Sequence, residues 1–448
     1  MLNSRKLISL IFISFAFNSV PVLASDAPVL PTELDLATAI RIADLNNPLL
    51  NQAREKIRES SGTLVITRSS ILPKLDAFGI YQVDQQDRVG SFGGESDPDD
   101  ELWSAGVEFR QPIYAGGKSK AAIRAGRYDR ESIESDAQTK RMQVMTDIHR
   151  KYFNALLARE VIGVQQESLD LIQQQLAIAK NRFDAGAGPR FDVLQAEVRV
   201  ANARPPLIRA QNEYRISIDD LRTTMGAVYA EDSGPTNVTL TGSWNEQPLT
   251  YSLEEAITQS LTNRPELVSA DKQRAAATER VRRYKREHNP TLDFFANYSF
   301  ENDRYSPGSE TLEGWQAGLQ AKMQIFEGGR IRGQVVQAQS QLDQIMYQEE
   351  AIRLAIELEV RSAWNNALEA KEIQDASELV ISQAEEALRL AQNRYSVGAL
   401  TQLDVLSSQL EFTRAKLEHI TAAHNYNLAL IDLQRAVGEM PGAHYLAE

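Results

Sequence analysis

The chain has 448 residues, with 48 basic against 61 acidic side chains, a formal net charge of −13 and no cysteine. This acidic balance argues against nucleic acid or an anionic lipid surface as the main partner, and without cysteine no disulfide framework and no thiol-linked lipid can hold the chain. Five scattered histidines, with no P-loop and no phosphate-binding glycine loop, leave no constellation for an enzyme, so no cofactor and no metal set is expected.

At the N-terminus Arg5 and Lys6 precede an apolar run from Leu7 to Phe17, and Val22-Leu23-Ala24 supplies small residues for cleavage. Residues 1–24 read as a signal peptide. Its removal takes two bases and no acid, which moves the charge from −13 to −15. No later segment approaches the ~18 consecutive apolar residues of a membrane helix. A membrane crossing would therefore have to use β-strands.

From residue 25 the chain is written twice. Leu36, Ala39, Ile40, Asn46, Pro48 and Leu50 recur as Leu253, Ala256, Ile257, Asn263, Pro265 and Leu267, and the same spacing carries Pro73, Asp76, Phe78 and Tyr81 onto Pro290, Asp293, Phe295 and Tyr298. Beyond a variable stretch the spacing shortens by five and then holds. Trp103 matches Trp315, Gly116-Gly117-Lys118 matches Gly328-Gly329-Arg330, Asp192-Val193-Leu194 matches Asp404-Val405-Leu406, and Gly226 matches Gly438. The division expected is a first repeat over 25–226, a linker over 227–251, a second repeat over 252–438 and a tail over 439–448.

Within each repeat the hydrophobic period changes from 2 to 3.6. Strands are predicted at about 75–84 and 103–114, then at about 292–301 and 315–326. Leu292, Phe294, Ala296, Tyr298 and Phe300 alternate with polar neighbours, as do Trp315, Ala317, Leu319, Ala321, Met323 and Ile325. Such alternation suits either a soluble half-buried sheet or a barrel with lipid outside and water inside. Four strands cannot close a barrel, and open edges are not tolerated in lipid; in the barrel reading, copies of the chain must share one. The intervening Gln85 to Leu102 and Asn302 to Gly314 read as exposed loops, the first with an acidic cluster around Asp97 and Asp99 that suits solvent better than Ca²⁺.

Long helices are predicted at about 118–183 and 191–225, then at 330–395 and 403–437. Val335, Ala338, Leu342, Ile345, Ile352, Ile356 and Val360 mark a helical stripe. A run of this length is a rod of roughly 95 Å, and the freedom from insertions fits a coiled coil, in which one added residue rotates the apolar face by about 100°. Pro205-Pro206 should end or kink its helix.

Duplicated halves with strand–loop–strand, a Gly-Gly turn and long helices resemble the TolC family of outer-membrane efflux and secretion proteins. The motifs that carry the resemblance are Gln111-Pro-Ile-Tyr-Ala-Gly-Gly-Lys118, Arg182-Phe-Asp-Ala-Gly186, and Arg394-Tyr-Ser-Val-Gly398 with Leu403-Asp-Val-Leu406. The resemblance implies an α+β membrane protein, a homotrimer in which a coiled-coil α-helical barrel continues a shared 12-stranded β-barrel. It places the chain in the cell outer membrane, among outer-membrane lipid, extending into the periplasm. An equatorial belt would include Val228 to Tyr251 and the C-terminal tail. The implied partners are a periplasmic adaptor and an inner-membrane pump or ABC transporter, since the chain has no motif to energise transport itself.

At the periplasmic tip, the turns Asp184 to Arg190 and Ser396 to Gln402 join each long helix to its partner. Gly186 and Gly398 supply the left-handed residue at each helix end, and with Ala187 and Ala399 they form the expected adaptor-docking turns. By resemblance Tyr395 and Asp184 match a tyrosine–aspartate gate contact and Asp404 matches a ring aspartate, while Leu400 and Ser407 depart from the pattern. Asp404 admits two readings: a ring of three mutually repelling carboxylates with raised pKa values, or a helix cap like the one expected of Asp192. The competing class is a periplasmic coiled-coil scaffold or adhesin-like structural protein, which would explain the helices but not the strands.

Overall fold

The computed structural model describes residues 28–83, 101–231, 234–244, 248–249, 251–302 and 311–442. The signal peptide at 1–24, the acidic loop with Asp97 and Asp99, the loop at 303–310 and the end of the C-terminal tail lie outside the described residues. In chain order the elements are β1 (Glu33–Leu34), α1 (Leu36–Asn46), α2 (Pro48–Ser69), β2 (Lys74–Val83), β3 (Glu101–Ala115), α3 (Lys118–Asp184) and α4 (Arg190–Met225). After β4 (Thr239–Leu240) come α5 (Leu253–Asn263), α6 (Pro265–Lys285), β5 (Thr291–Asn302), β6 (Thr311–Lys322), α7 (Arg330–Ser396) and α8 (Gln402–Val437).

The four long strands form one antiparallel sheet in the order β2-β3-β5-β6. Its register sorts the side chains onto two faces. Opposed pairs such as Tyr81 and Trp103, Val107 and Tyr298, and Phe294 and Leu319 build a dry face. Asp76 and Glu108, Glu108 and Asn297, and Asp293 and Gln320 build a wet one, where Glu108 also holds Arg110 at 2.6 Å. On the wet face Phe78 lies over Gly106 and Phe295 over Gly318, each phenyl reaching within 3.0 Å of where a Cβ would stand.

The sheet corrects one expectation. β6 begins at Thr311 and ends at Lys322, so Met323 to Phe326 are not strand. The cause is the partner: β5 begins at Thr291, opposite Lys322, and among the described residues nothing pairs with β6 beyond it. On β3 the corresponding residues stay extended because Gln111 to Ala115 pair with β5 on the other side.

α3 and α7 are each 67 residues long, roughly 100 Å at 1.5 Å per residue. α3 buries nineteen residues whereas α7 buries eight, because α3 lies between α4, α2, α6 and α8 while one flank of α7 is open. α4 runs unbroken through Pro205 and Pro206, contrary to a helix end there. The carbonyls freed by the two missing N–H groups belong to exposed Ala201 and Asn202, where solvent serves them, while buried Leu207 and Ala210 keep the inner face packed.

Near mid-length a compact core surrounds α3. Leu34, Ile40, Met145, Ile148, Tyr152, Leu156, Ile218, Leu221 and Leu240 are buried together. The N-terminal segment takes part: β1 pairs with β4 in parallel, and Val29 bridges to Val228. Residues 29–34 thus pack with Val228 and with 239–240, and the tail reaches back with Gly442 against Ile40 and His149. At each junction between short helices one side chain seals the core. Asn47 caps α2 and donates to the Thr224 carbonyl at 2.6 Å; at the equivalent place buried Arg264 donates to the Arg435 and Ala436 carbonyls and pairs with Glu359 at 2.8 Å.

Candidate gate at the helical tip

The far ends of the long helices are built alike. After α3, Gly186 takes φ +72°, Ala187 N–H donates to the Arg182 carbonyl at 2.8 Å and Gly186 N–H to Phe183 at 2.9 Å. After α7, Gly398 takes φ +77°, with Ala399 donating to Arg394 at 2.8 Å and Gly398 to Tyr395 at 3.0 Å. Both are Schellman endings, which turn the chain back while satisfying the last carbonyls of the helix. Gly186, Ala187, Gly398 and Ala399 are all exposed.

The returning helices start differently. Thr401 caps α8 in a reciprocal box: the Asp404 N–H donates to Thr401 Oγ1 at 3.3 Å, and Asp404 Oδ2 accepts from the Thr401 N–H at 2.9 Å and hydroxyl at 2.7 Å. Those bonds, the hydroxyl's first, hold the Asp404 carboxyl below its ordinary value within the single chain. α4 follows Pro189 with no side-chain cap, so the capping assigned to Asp192 is absent; Pro189 offers no side-chain acceptor, and Asp192 stands half-buried in the first turn. The cap belongs to the second turn, not the first.

Tyr395 and Asp184 are not brought together as the resemblance implied. Asp184 is exposed at the last position of α3, whereas the Arg182 guanidinium carbon sits 5.1 Å from the centre of the Tyr395 ring. α3 points Arg182 towards α7 and Asp184 away from it, one helical step of about 100° per residue separating such directions. Leu400 is half-buried in the turn, and Ser407 is exposed on α8. Lys180 and Glu197, 3.2 Å apart, tie α3 to α4 just above.

Two participants escaped the sequence. Arg182 belongs to the motif Arg182-Phe-Asp-Ala-Gly186, and nothing in that motif says that its guanidinium meets a ring of the other repeat. Gln402, the first residue of α8, is buried with neither amide atom hydrogen-bonded. No sequence pattern marks it, because its counterpart in the first turn is Arg190.

A sheet with one dry and one wet face, carried on coiled-coil rods that turn back at glycine-ended tips, defines a membrane-embedded conduit component. No described helix is long and apolar enough to cross a membrane. The chain belongs to the outer membrane efflux protein family, whose profile matches residues 39–227 and again 256–439. It is similar to the outer membrane protein TolC of Escherichia coli, with 27% identity over 90% of this chain and 82% of that protein. The outer membrane efflux protein BepC of Brucella suis is 24% identical over 90% of this chain and 85% of its own. Among solved structures, the Campylobacter jejuni CmeC outer membrane channel superposes with a TM-score of 0.76 at 19% identity, covering 92% and 88% of the two chains. The protein resides in the outer membrane and acts as the exit channel of an efflux or secretion assembly. Its family is one of transport, not of enzymes.

Proposed function

We propose that three copies close a barrel of twelve strands, four from each, and that the helices continue it as a periplasmic tube narrowing at the tip turns. The observation that carries this reading is the pair of open sheet edges: β2 and β6 each have one partner, and dry-face residues such as Leu75, Trp315 and Leu319 are exposed beside them. In lipid those edges must be paired. Six tip turns would surround the exit path, with Asp404, Tyr395, Asp184 and Leu400 nearest the constriction. Gly186, Ala187, Gly398 and Ala399 present backbone to a periplasmic adaptor, which links the channel to an inner-membrane pump or ABC transporter.

A periplasmic scaffold would leave the dry face in water over four strands, well beyond the apolar patch a soluble monomer carries. The test is the mass of the detergent-extracted protein with its conductance in planar bilayers. A trimer with a steady low conductance is expected; a monomer that forms no pore would sink the reading.

A further inference from the structure

We infer that the seam between copies has a definite register, with Leu319 of β6 opposite Tyr81 of β2 in the next copy. The inference rests on the shared barrel proposed above. The chain holds one junction between its two halves, β3 against β5, in which Ala105 faces Phe300, Val107 faces Tyr298 and Phe109 faces Ala296. β6 holds the place of β3 in the second half, Trp315 for Trp103, and β2 that of β5 in the first, Tyr81 for Tyr298. Carrying each residue to its counterpart sets Ala317 against Val83, Leu319 against Tyr81 and Ala321 against Gly79.

Three further observations agree with this seam. First, the register keeps dry residues beside dry ones across the edge, although a slip of one residue would reverse every side chain. Second, it supplies the partner that β6 lacks. Past Lys322 the chain leaves the sheet, and Ile325 and Phe326 stand 90% and 87% exposed against 56% and 50% for their counterparts, Ile113 at a bulge and Tyr114 paired with Leu292. The same register lays Leu75 of the next copy against Phe326. Third, the turn beyond is occupied in one half and open in the other. Asn289 and Arg286 crowd Gly116 and Gly117, with Asn289 donating to the Gly116 carbonyl at 2.8 Å, while nothing lies within 4 Å of where a Cβ would stand on Gly328 or Gly329.

The seam also has a charge pattern. Arg110 and Asp293 lie two residues apart on facing strands of the internal junction. Their counterparts Lys322 and Asp76 keep the same signs. At the seam, Lys322 of one copy and Asp76 of the next therefore repeat the arrangement.

Because the chain has no cysteine, pairs introduced into it report without background. Tyr81→Cys is combined with Leu319→Cys, and separately with Ala317→Cys or Ala321→Cys, and oxidised in outer-membrane vesicles. The Leu319 pair is expected to give covalent oligomers on non-reducing gels. The slipped pairs should give roughly tenfold less, since diagonal neighbours lie near the ~7 Å limit for bridging Cα atoms. A slipped pair that joins equally well overturns the register and leaves the shared barrel standing, as does an oligomer that none of the three pairs joins. A chain that is monomeric and unjoined overturns both. Lys322→Glu should lower the heat resistance of the oligomer, and adding Asp76→Lys should restore it; a double variant no better than the single counts against the seam.

Discussion

Arg182, in the last turn of α3, covers the ring of Tyr395, next to the last residue of α7, and so joins the two halves of the chain at the tip. Both side chains are half-buried, and a guanidinium over a tyrosine still reached by solvent contributes about 0.5–1 kcal/mol. If this contact holds the tip closed, Arg182→Ala shifts the closed-to-open ratio roughly two- to fivefold. Higher single-channel conductance and greater entry of bulky antibiotics are the expected signs. Arg182→Lys should fall between the two, and an Ala variant with wild-type conductance would show that the contact does not bear on gating.

The capping box separates the two roles open to Asp404. As a cap residue it acts together with Thr401, so Thr401→Ala and Asp404→Ala should loosen the start of α8 alike, seen as faster amide hydrogen exchange over residues 402–406. Losing the threonine cap costs roughly 1 kcal/mol. As a ring carboxylate Asp404 acts alone, and only its own removal would lower cation selectivity in bilayers. Equal effects on exchange with unchanged selectivity would leave Asp404 as a cap.

Gln402 is buried with both amide atoms unpaired. Gln402→Met removes two unsatisfied groups at similar volume, and unsatisfied groups cost about 1–3 kcal/mol each when buried. A higher melting temperature is expected. A lower one would mean that a neighbouring copy or the adaptor supplies the missing partners.

His424 lies buried in α8, within 2.8 Å of Asn154 and edge-on to Trp244. Desolvation holds its imidazole below the ordinary histidine value, against a smaller opposing push from Asn425. The unfolded chain therefore takes up the proton first. The contribution of neutral His424 is complete above about pH 6.5 and is lost as pH falls below it, levelling off once the folded imidazole protonates. Melting temperatures of the wild type and His424→Gln, measured from pH 7.5 to 5, should converge on the acid side. Parallel curves would exclude His424 as the titrating group.

Arg264 and Asn47 show how differently two equivalent places can be sealed. The flanking Asn46 and Pro48, with Asn263 and Pro265, were legible because they are identical in both halves. The residues between them, which reach the helix ends α4 and α8, differ and so left no signal. Arg264 is almost fully buried against Glu266 and Glu359. Both glutamates keep a quarter or more of their side chains in solvent, so the loss falls on the buried Ala436 carbonyl that Arg264 serves, at about 1–3 kcal/mol for an unsatisfied group. Arg264→Met should therefore lose oligomer on unheated gels at temperatures the wild type tolerates, and normal assembly would show that solvent reaches that carbonyl.

The long helices were legible because nothing in their sequence interrupts an apolar stripe, and Pro205-Pro206 misled because solvent serves the freed carbonyls of Ala201 and Asn202. The strands were legible from alternation, which depends only on one strand having two faces. Where β6 stops was not, since its end is fixed by the length of the strand beside it. At the tip, glycine positions could be read from their left-handed requirement. The Arg182–Tyr395 contact could not, because it joins residues more than two hundred positions apart, and a repeat that matches Arg182 to Arg394 and Tyr395 to Phe183 does not say which arginine meets which ring.

The unfinished end of β6 has a consequence for biogenesis. In the shared barrel proposed above, a single copy arriving in the periplasm carries Ile325 and Phe326 bare beside a half-satisfied strand, and its folding would be completed only when another copy meets it. The yield of mature channel should then rise more steeply than in proportion to the rate of synthesis, and solitary chains should be the species that periplasmic chaperones and proteases hold.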